Sequence, residues 1–134
     1  MAAYEAASRA FVEAAAIPDP DHPQLAATHT GPMLEQRRGV LRALKLDGRV
    51  IRYPENSQYR TDVHAVDVDA DVAVFDVCGV DDGQRVVAST GEVISGGVVT
   101  VLARAAMRRV DGAWLLAERE KVQEWEGVAG CALD

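Results

Sequence analysis

Two carboxylates, Asp76 and Glu118, interrupt apolar positions in segments whose alternating pattern predicts β-strands. Asp76 shares one predicted strand face with four apolar residues, and Glu118 shares another with Trp114 and Leu116. A carboxyl group enclosed by apolar side chains has a raised pKa and can exchange protons near neutral pH. We therefore predict Asp76 and Glu118 as the candidates for general acid–base chemistry. For Asp76 the alternative is an ion pair with an arginine on a neighbouring strand, such as Arg104, or simple exposure to water.

The sequence contains no motif typical of a nucleophilic, nucleotide-binding or metal site. The chain contains no GxSxG nucleophile turn, no GxGxxG loop and no phosphate-binding GxxxxGK[ST] loop. Its three histidines, His22, His29 and His64, form neither an HExxH motif nor a cluster, and the two cysteines have no CxxC spacing. We therefore predict neither a bound metal nor a cofactor.

Size and charge restrict the class of protein further. The 134 residues match one compact domain spanning 1–134, and 49% apolar with 26% charged residues is typical of a globular protein. A net charge of -7 argues against nucleic-acid binding, which requires clustered Lys and Arg. No apolar run approaches the roughly 20 residues needed to span a bilayer. Residues 1–17 lack an export signal, which predicts a cytoplasmic protein unless a leader preceded them.

The elements that must position these residues follow from periodicity. Apolar residues at helical spacing predict helices over 3–16, 22–28 and about 32–47, with prolines marking the breaks between them. After Gly48 the period changes to two and β-branched residues become dense. The predicted strands cover 49–53, 58–68, 72–80, 85–89 with 92–94, 98–110 and 113–124.

Short turns between these strands predict an antiparallel sheet, so helices followed by a strand meander indicate an α+β fold. The strand over 98–110 would extend about 40 Å if straight, and we therefore expect the sheet to curl strongly. Helices packed across a curled sheet can enclose a cone-shaped pocket, where a small molecule would bind.

The arrangement of these segments resembles a known superfamily. An alanine-rich helix with Tyr4 and Phe11, a second helix, and long strands ending in the Asp111-Gly112-Ala113-Trp114 hairpin are similar to NTF2-like (cystatin-like α+β cone) proteins. Five further features resemble a group of small uncharacterised actinobacterial proteins, many of them predicted to be exported or lipid-anchored. These features are the loop 19–23, the segments 48–50, 77–82 and 90–93, and a cysteine near the C-terminus.

This resemblance has implications for particular side chains. It favours a disulfide between Cys78 and Cys131, which would close a loop of about 50 residues; the alternative is a free Cys78 and an unpaired Cys131 in a reducing compartment. In the steroid-isomerase branch, a tyrosine on the first helix donates a hydrogen bond to a substrate oxygen. The resemblance therefore implies such a role for Tyr4, and packing between helix and sheet is the alternative.

Two functions are consistent with these observations. The first is non-enzymatic binding of a small apolar ligand or a protein partner. The alternative is a cofactor-free isomerase, dehydratase or cyclase in which Asp76 or Glu118 is the general base and Tyr4 the hydrogen-bond donor. Under either, the resemblance implies a homodimer formed through an exposed sheet face that would include some of Val99, Val101, Ala103 and Ala105.

Overall fold

A computed structural model describes residues 1–131 of the protein, and in this range three helices precede seven strands. The helices are α1 (Ala2–Ala16), α2 (Pro23–Thr28) and α3 (Gly31–Asp47). The strands are β1 (Arg49–Arg52), β2 (Arg60–Asp69), β3 (Val72–Asp81), β4 (Gln84–Val87), β5 (Val93–Ser95), β6 (Val99–Val110) and β7 (Ala113–Glu126). The predicted α+β class, with helices before an antiparallel sheet, is confirmed.

Local chemistry explains where the helices begin and end. The side chain of His22 accepts a hydrogen bond from the Gln24 N–H at the start of α2, and Pro23 occupies a first-turn position that needs no N–H donor. Gly48 ends α3 in the left-handed conformation, with φ of 67°, which glycine adopts without strain.

The strands form two antiparallel sheets. The larger has the spatial order β2-β3-β6-β7, and the smaller has the order β1-β4-β5. Tight turns join β2 to β3 and β6 to β7, with Ala70 and Asp111 at positive φ. The turns near Asp82 and Gly97, expected from the sequence to make hairpins, instead carry the chain from one sheet to the other. In sequence, β4 and β5 of the smaller sheet therefore lie between β3 and β6, which pair with each other in the larger one.

Bulges shape the pairing of β6 with β7. Ala106 pairs with Glu118 but Met107 pairs with Leu116, so Ala117 is an extra residue in β7. A second register shift leaves Val122 unpaired in the same way. A bulge bends its strand and changes which side chains face a given side of the sheet. The inward position beyond Leu116 consequently belongs to Arg119.

The concave face of the larger sheet packs against the helices and forms the core. Tyr4 of α1 meets Phe75 of β3 edge to face, with ring centroids 5.5 Å apart. The remaining buried members of this cluster are small or flexible: Ala7, Met33, Ala73, Val77, Ala105, Met107 and Leu116. A second cluster joins the helices to one another through Ala14, Ala15, Leu25, Leu41 and Leu44.

The opposite, outer face is covered in part by the segment after β7. A disulfide joins Cys78 of β3 to Cys131, with their Cα atoms 6.2 Å apart, which confirms the predicted pairing. The Thr100 hydroxyl donates to the Gly127 carbonyl at 2.7 Å, and the Gly127 N–H donates to the Val98 carbonyl at 2.8 Å. The chain after β7 is therefore held against the outer face at two points.

Candidate functional site

A cavity of about 440 Å³ lies between α1, α3 and the concave face of the larger sheet. Its apolar wall includes Phe11, Ile51, Val77, Val80 and Val101. The polar side chains of the lining are Tyr4, Ser8, Arg37, Tyr53, Tyr59, Arg60, Thr61, Asp81, Gln84, Arg85, Ser95 and Arg119. An adjoining depression of about 560 Å³ shares Ser8, Tyr53 and Tyr59 with it. Cavities of this size accommodate small organic molecules.

Arg119 reaches the cavity from β7 because of the bulge at Ala117. Its Nε–H donates a hydrogen bond to the Tyr4 hydroxyl oxygen at 3.1 Å. Tyr4 is almost fully buried, at 2% exposure, and its ring is fixed against Phe75. The hydroxyl of Tyr4 is thereby left with its own proton to donate towards another acceptor.

Arg37 reaches the cavity from α3. Its guanidinium carbon lies 4.2 Å from the ring centre of Phe11, a cation–π contact, while its buried Nε has no hydrogen-bond partner among the described residues. Burial, and then the positive charge of Arg119, lowers the pKa of Arg37 to about 10. Arg37 is therefore still cationic at neutral pH, with its charge incompletely solvated.

Two tyrosines and one carboxylate occupy another part of the cavity wall. The rings of Tyr53 and Tyr59 meet edge to face at 5.3 Å. Burial, and then the carboxylate of Asp81, raises the pKa of Tyr53, and burial raises that of Tyr59 as well. Asp81 also accepts a hydrogen bond from the Gly83 N–H at 2.8 Å. Both tyrosines are therefore protonated hydrogen-bond donors over the physiological pH range.

The carboxylates expected in the pocket lie elsewhere. Asp76 is on the outer face, where Arg104 Nε donates to it at 3.3 Å, the alternative considered from the sequence. Glu118 is exposed, because the bulge at Ala117 directs Arg119 inward in its place. Of the three residues predicted as catalytic, the two carboxylates and the hydrogen-bond donor Tyr4, the structure therefore brings only Tyr4 into the cavity.

The residues expected on an exposed dimer face are also placed differently. Val99 and Val101 line the cavity, and Ala103 and Ala105 are buried beneath the helices. β6 turns this set of alternate residues towards the concave side, because Cys78 and Arg104 occupy the outer one.

Residues 1–131 contain no group of three or more potential metal-ligating side chains, and no helix in this range is long and apolar enough to cross a membrane.

His29, 1% exposed, contacts the Leu25 carbonyl and the Thr28 hydroxyl through Nδ1. Its Nε2 has no partner in the described range, and burial lowers its pKa to about 4.

The cavity residues Arg37, Arg119, Tyr53 and Tyr59 were not predicted from the sequence. Strict alternation along β7 predicts that Arg119 faces outward, because the bulge at Ala117 leaves no mark in the sequence. The two tyrosines lie near the ends of predicted strands and belong to no motif. For Arg37 a signal existed, since an arginine lay within the apolar periodicity of α3 and could have faced inward.

Comparison with solved structures establishes the fold. The intermembrane-space region of the chloroplast protein ARC6 matches with a TM-score of 0.68 and 17% identity, covering 90% of this chain and 94% of that one. The Kfla4162 protein of Kribbella flavida matches with a TM-score of 0.55 and 14% identity over 92% and 93% of the two chains. A ketosteroid isomerase-like protein from Erwinia carotovora atroseptica SCRI1043 matches with a TM-score of 0.50 and 18% identity, covering 91% of this chain and 95% of that one.

No protein-family model matches the chain, and no curated protein matches it significantly by sequence. The solved structures are similar over nearly their whole lengths, so the likeness concerns the complete arrangement of helices and sheet. At 14–18% identity it shows the fold alone.

Proposed function

We propose that this chain, which has the NTF2-like fold, binds a small, largely apolar organic molecule inside its cone. The observation that carries the proposal is the cavity of about 440 Å³, which the core side chains leave unfilled. A cone packed solid by side chains would have been incompatible with such a role. Small-molecule sites typically combine an apolar wall with polar groups that orient the ligand, and this cavity has both.

The wall has two parts with different roles in this proposal. Apolar side chains such as Ile51, Val77 and Val101 would gain free energy by removing an apolar ligand from water. The hydroxyl of Tyr4 would orient the ligand through a hydrogen bond, since its burial leaves it few alternative partners.

Binding can be tested with N-phenyl-1-naphthylamine, a neutral dye whose fluorescence rises in apolar surroundings. We expect saturable binding to the intact chain and at least a tenfold weaker affinity for Val101→Phe, whose larger side chain occupies the cavity. The matched control is Val110→Phe, which makes the same change at an exposed position of β6. Absence of binding, or equal binding by both variants, would contradict the proposal.

A cofactor-free isomerase, dehydratase or cyclase is the second candidate. It is supported by Tyr4, whose hydroxyl lies in the cavity and is oriented by Arg119. Asp76 and Glu118 gain no support as general bases from their places on the protein surface, whereas the carboxylate of Asp81 lines the cavity. Enzymatic proton abstraction predicts exchange of an acidic C–H of a bound carbonyl compound with deuterated water, reduced in Asp81→Asn but not in Asp76→Asn.

Homodimerisation through the outer sheet face also remains a proposal. Val74, 40% exposed, lies on that face beside the ion pair of Asp76 with Arg104, a mixture of apolar and charged groups that suits an interface rim. Light scattering coupled to size exclusion tests it directly, and a monomer at high protein concentration would contradict it.

A further inference from the structure

We propose that the cavity selects organic monocarboxylates and that Arg37 and Arg119 together form the carboxylate-binding site. This inference rests on the proposed function and names the class of its ligand. It follows from the two guanidinium groups, their surroundings and the charges that face them.

The two arginines line the same cavity from different elements. Arg37 comes from α3 and is flanked by Phe11, and Arg119 comes from β7 and is flanked by Tyr4. Their charges are close enough for Arg119 to contribute to the lowered pKa of Arg37. Two like charges held together in a partly buried site are unfavourable, and an anion between them relieves both the repulsion and the loss of solvent.

Neither arginine has an acidic partner within residues 1–131. Three other arginines in this range form ion pairs: Arg38 with Glu35, Arg104 with Asp76, and Arg109 with Asp71. Two further arginines of the cavity lining, Arg60 and Arg85, are exposed, whereas Arg37 and Arg119 are half-buried and have no carboxylate partner in this range. The charged and polar groups that act on Arg37 are Arg119 and the tyrosines at positions 4, 53 and 59.

The donors that remain available point to the same chemistry. The Nε of Arg37 is buried without a partner among the described residues, and Arg119 uses its own Nε for Tyr4, so its terminal nitrogens are left to donate. The Tyr4 hydroxyl, which accepts from Arg119, adds a third donor beside them. Planar guanidinium groups match the two oxygens of a carboxylate, and hydrogen bonds between charged partners are the strong ones.

The remainder of the cavity limits what the carboxylate can be attached to. About half of the lining side chains are apolar or aromatic, among them Phe11, Ile51 and Val101, and an apolar ligand body would pack against these. The Asp81 carboxylate beside Tyr53 disfavours a second negative charge there. A single carboxylate on an aromatic or aliphatic body satisfies both conditions, while a doubly charged phosphate ester would leave more charge desolvated.

The test compares 2-naphthoate with its neutral analogue 2-naphthamide by isothermal titration calorimetry at neutral pH. We expect the intact chain to bind the carboxylate about 10- to 100-fold more tightly than the amide, the range for a charge-assisted hydrogen-bond pair. Arg119→Gln and Arg37→Gln should each abolish most of that preference while leaving 2-naphthamide affinity nearly unchanged. Affinity for the amide thus reports independently that each variant is folded.

Arg104→Gln is the matched control, because it removes an arginine from the outer face of the neighbouring strand and should retain the full preference. If Arg37→Gln fails to fold, Arg119→Gln and Arg119→Lys carry the test. The lysine variant keeps the charge and should lose part of the preference, because it lacks the planar pair of donors.

The outcomes separate this inference from the proposed function. Equal binding of carboxylate and amide, both sensitive to Val101→Phe, would overturn the anion preference and leave the binding function intact. Tighter binding of 2-naphthyl phosphate than of 2-naphthoate would overturn the assigned class of anion. If none of these compounds binds, both the binding function and the inference are overturned.

Discussion

The two faces of the larger sheet treat the same residue type in opposite ways. On the outer face Arg104 is 67% exposed in its side chain and pairs with Asp76 on the adjoining strand. On the concave face Arg119, only 15 positions further along the β6–β7 hairpin, contacts the Tyr4 hydroxyl. Surface ion pairs of the first kind contribute little to stability. On the concave face, by contrast, the charge of Arg119 has no carboxylate partner among the described residues, and this reduces the stability of the fold.

The same contrast extends to other polar groups. The outer face is held by covalent and hydrogen-bonded contacts of the segment after β7, notably the disulfide at Cys78 and the Thr100 hydroxyl. On the helix side of the sheet, His29 and Arg37 are each left with a buried nitrogen that has no partner in the described range, and His64, opposite Asp76 on the outer face, has one as well. The outer face is thus tied down by the segment after β7, whereas the concave face carries both the core and the cavity.

The largest expected effect concerns the disulfide. Replacing Cys131 by Ser opens a link between residues 53 positions apart, and the chain-entropy relation gives a loss of about 4 kcal/mol in the free energy of unfolding. Urea titration of the variant beside the oxidised wild-type chain measures it. Reduction of the wild-type protein should have the same effect, and equal midpoints for oxidised and reduced protein would contradict a stabilising role of the disulfide.

Acid should next destabilise the protein through His29. Its folded pKa of about 4 lies below the ordinary 6.5, so the unfolded chain binds the extra proton first and stability falls as the pH drops from about 6.5 to 4. The full difference amounts to about 3 kcal/mol. His29→Asn supplies an amide N–H for the Leu25 carbonyl without titrating, and should flatten that part of the pH profile. An unchanged slope in the variant would exclude His29 as the cause.

A smaller effect is expected where the chain after β7 crosses the outer face. A Cβ at Gly130 would overlap the ring of Trp125 and lie 2.9 Å from Cβ of Thr100, so Gly130→Ala must displace this segment. We expect a loss of about 1–3 kcal/mol, as for overpacking. The matched control is Gly39→Ala within α3, where a Cβ meets nothing within 4 Å and should add about 0.5–1 kcal/mol. Thermal unfolding compares the two, and equal shifts would contradict close packing at Gly130.

The smallest expected effect tests the contrast between the arginines themselves. Arg104→Gln removes a favourable surface pair and should lower stability by about 0.2–1 kcal/mol. Arg119→Gln removes a charge that repels Arg37 and should raise the stability by a few tenths of a kcal/mol, of the order of other like-charge pairs. Chemical denaturation without ligand resolves the signs. Destabilisation by both substitutions would show that the cavity arginines support the fold instead of the ligand site.

Much of the fold could be predicted because its signals are local. The change of period after Gly48, the prolines before α2 and α3, and the turn residues at Asp111 and Gly112 each depend on neighbours in the sequence. The disulfide could also be anticipated, although only through resemblance. The candidate site was less accessible: Tyr4 was identified, while Asp76 and Glu118 were expected in a pocket they do not enter.

What the sequence determined is the order of helices and strands, since hydrophobic period and turn chemistry act over a few residues. The tertiary structure alone decided which side chains enter the cone. One extra residue at Ala117 reverses the alternation of β7, and this bulge arises from pairing with β6, a partner strand whose register no local pattern records. The same long-range packing brings Arg37 of α3 to Arg119, 82 positions away, and thereby creates the positive site in an acidic protein.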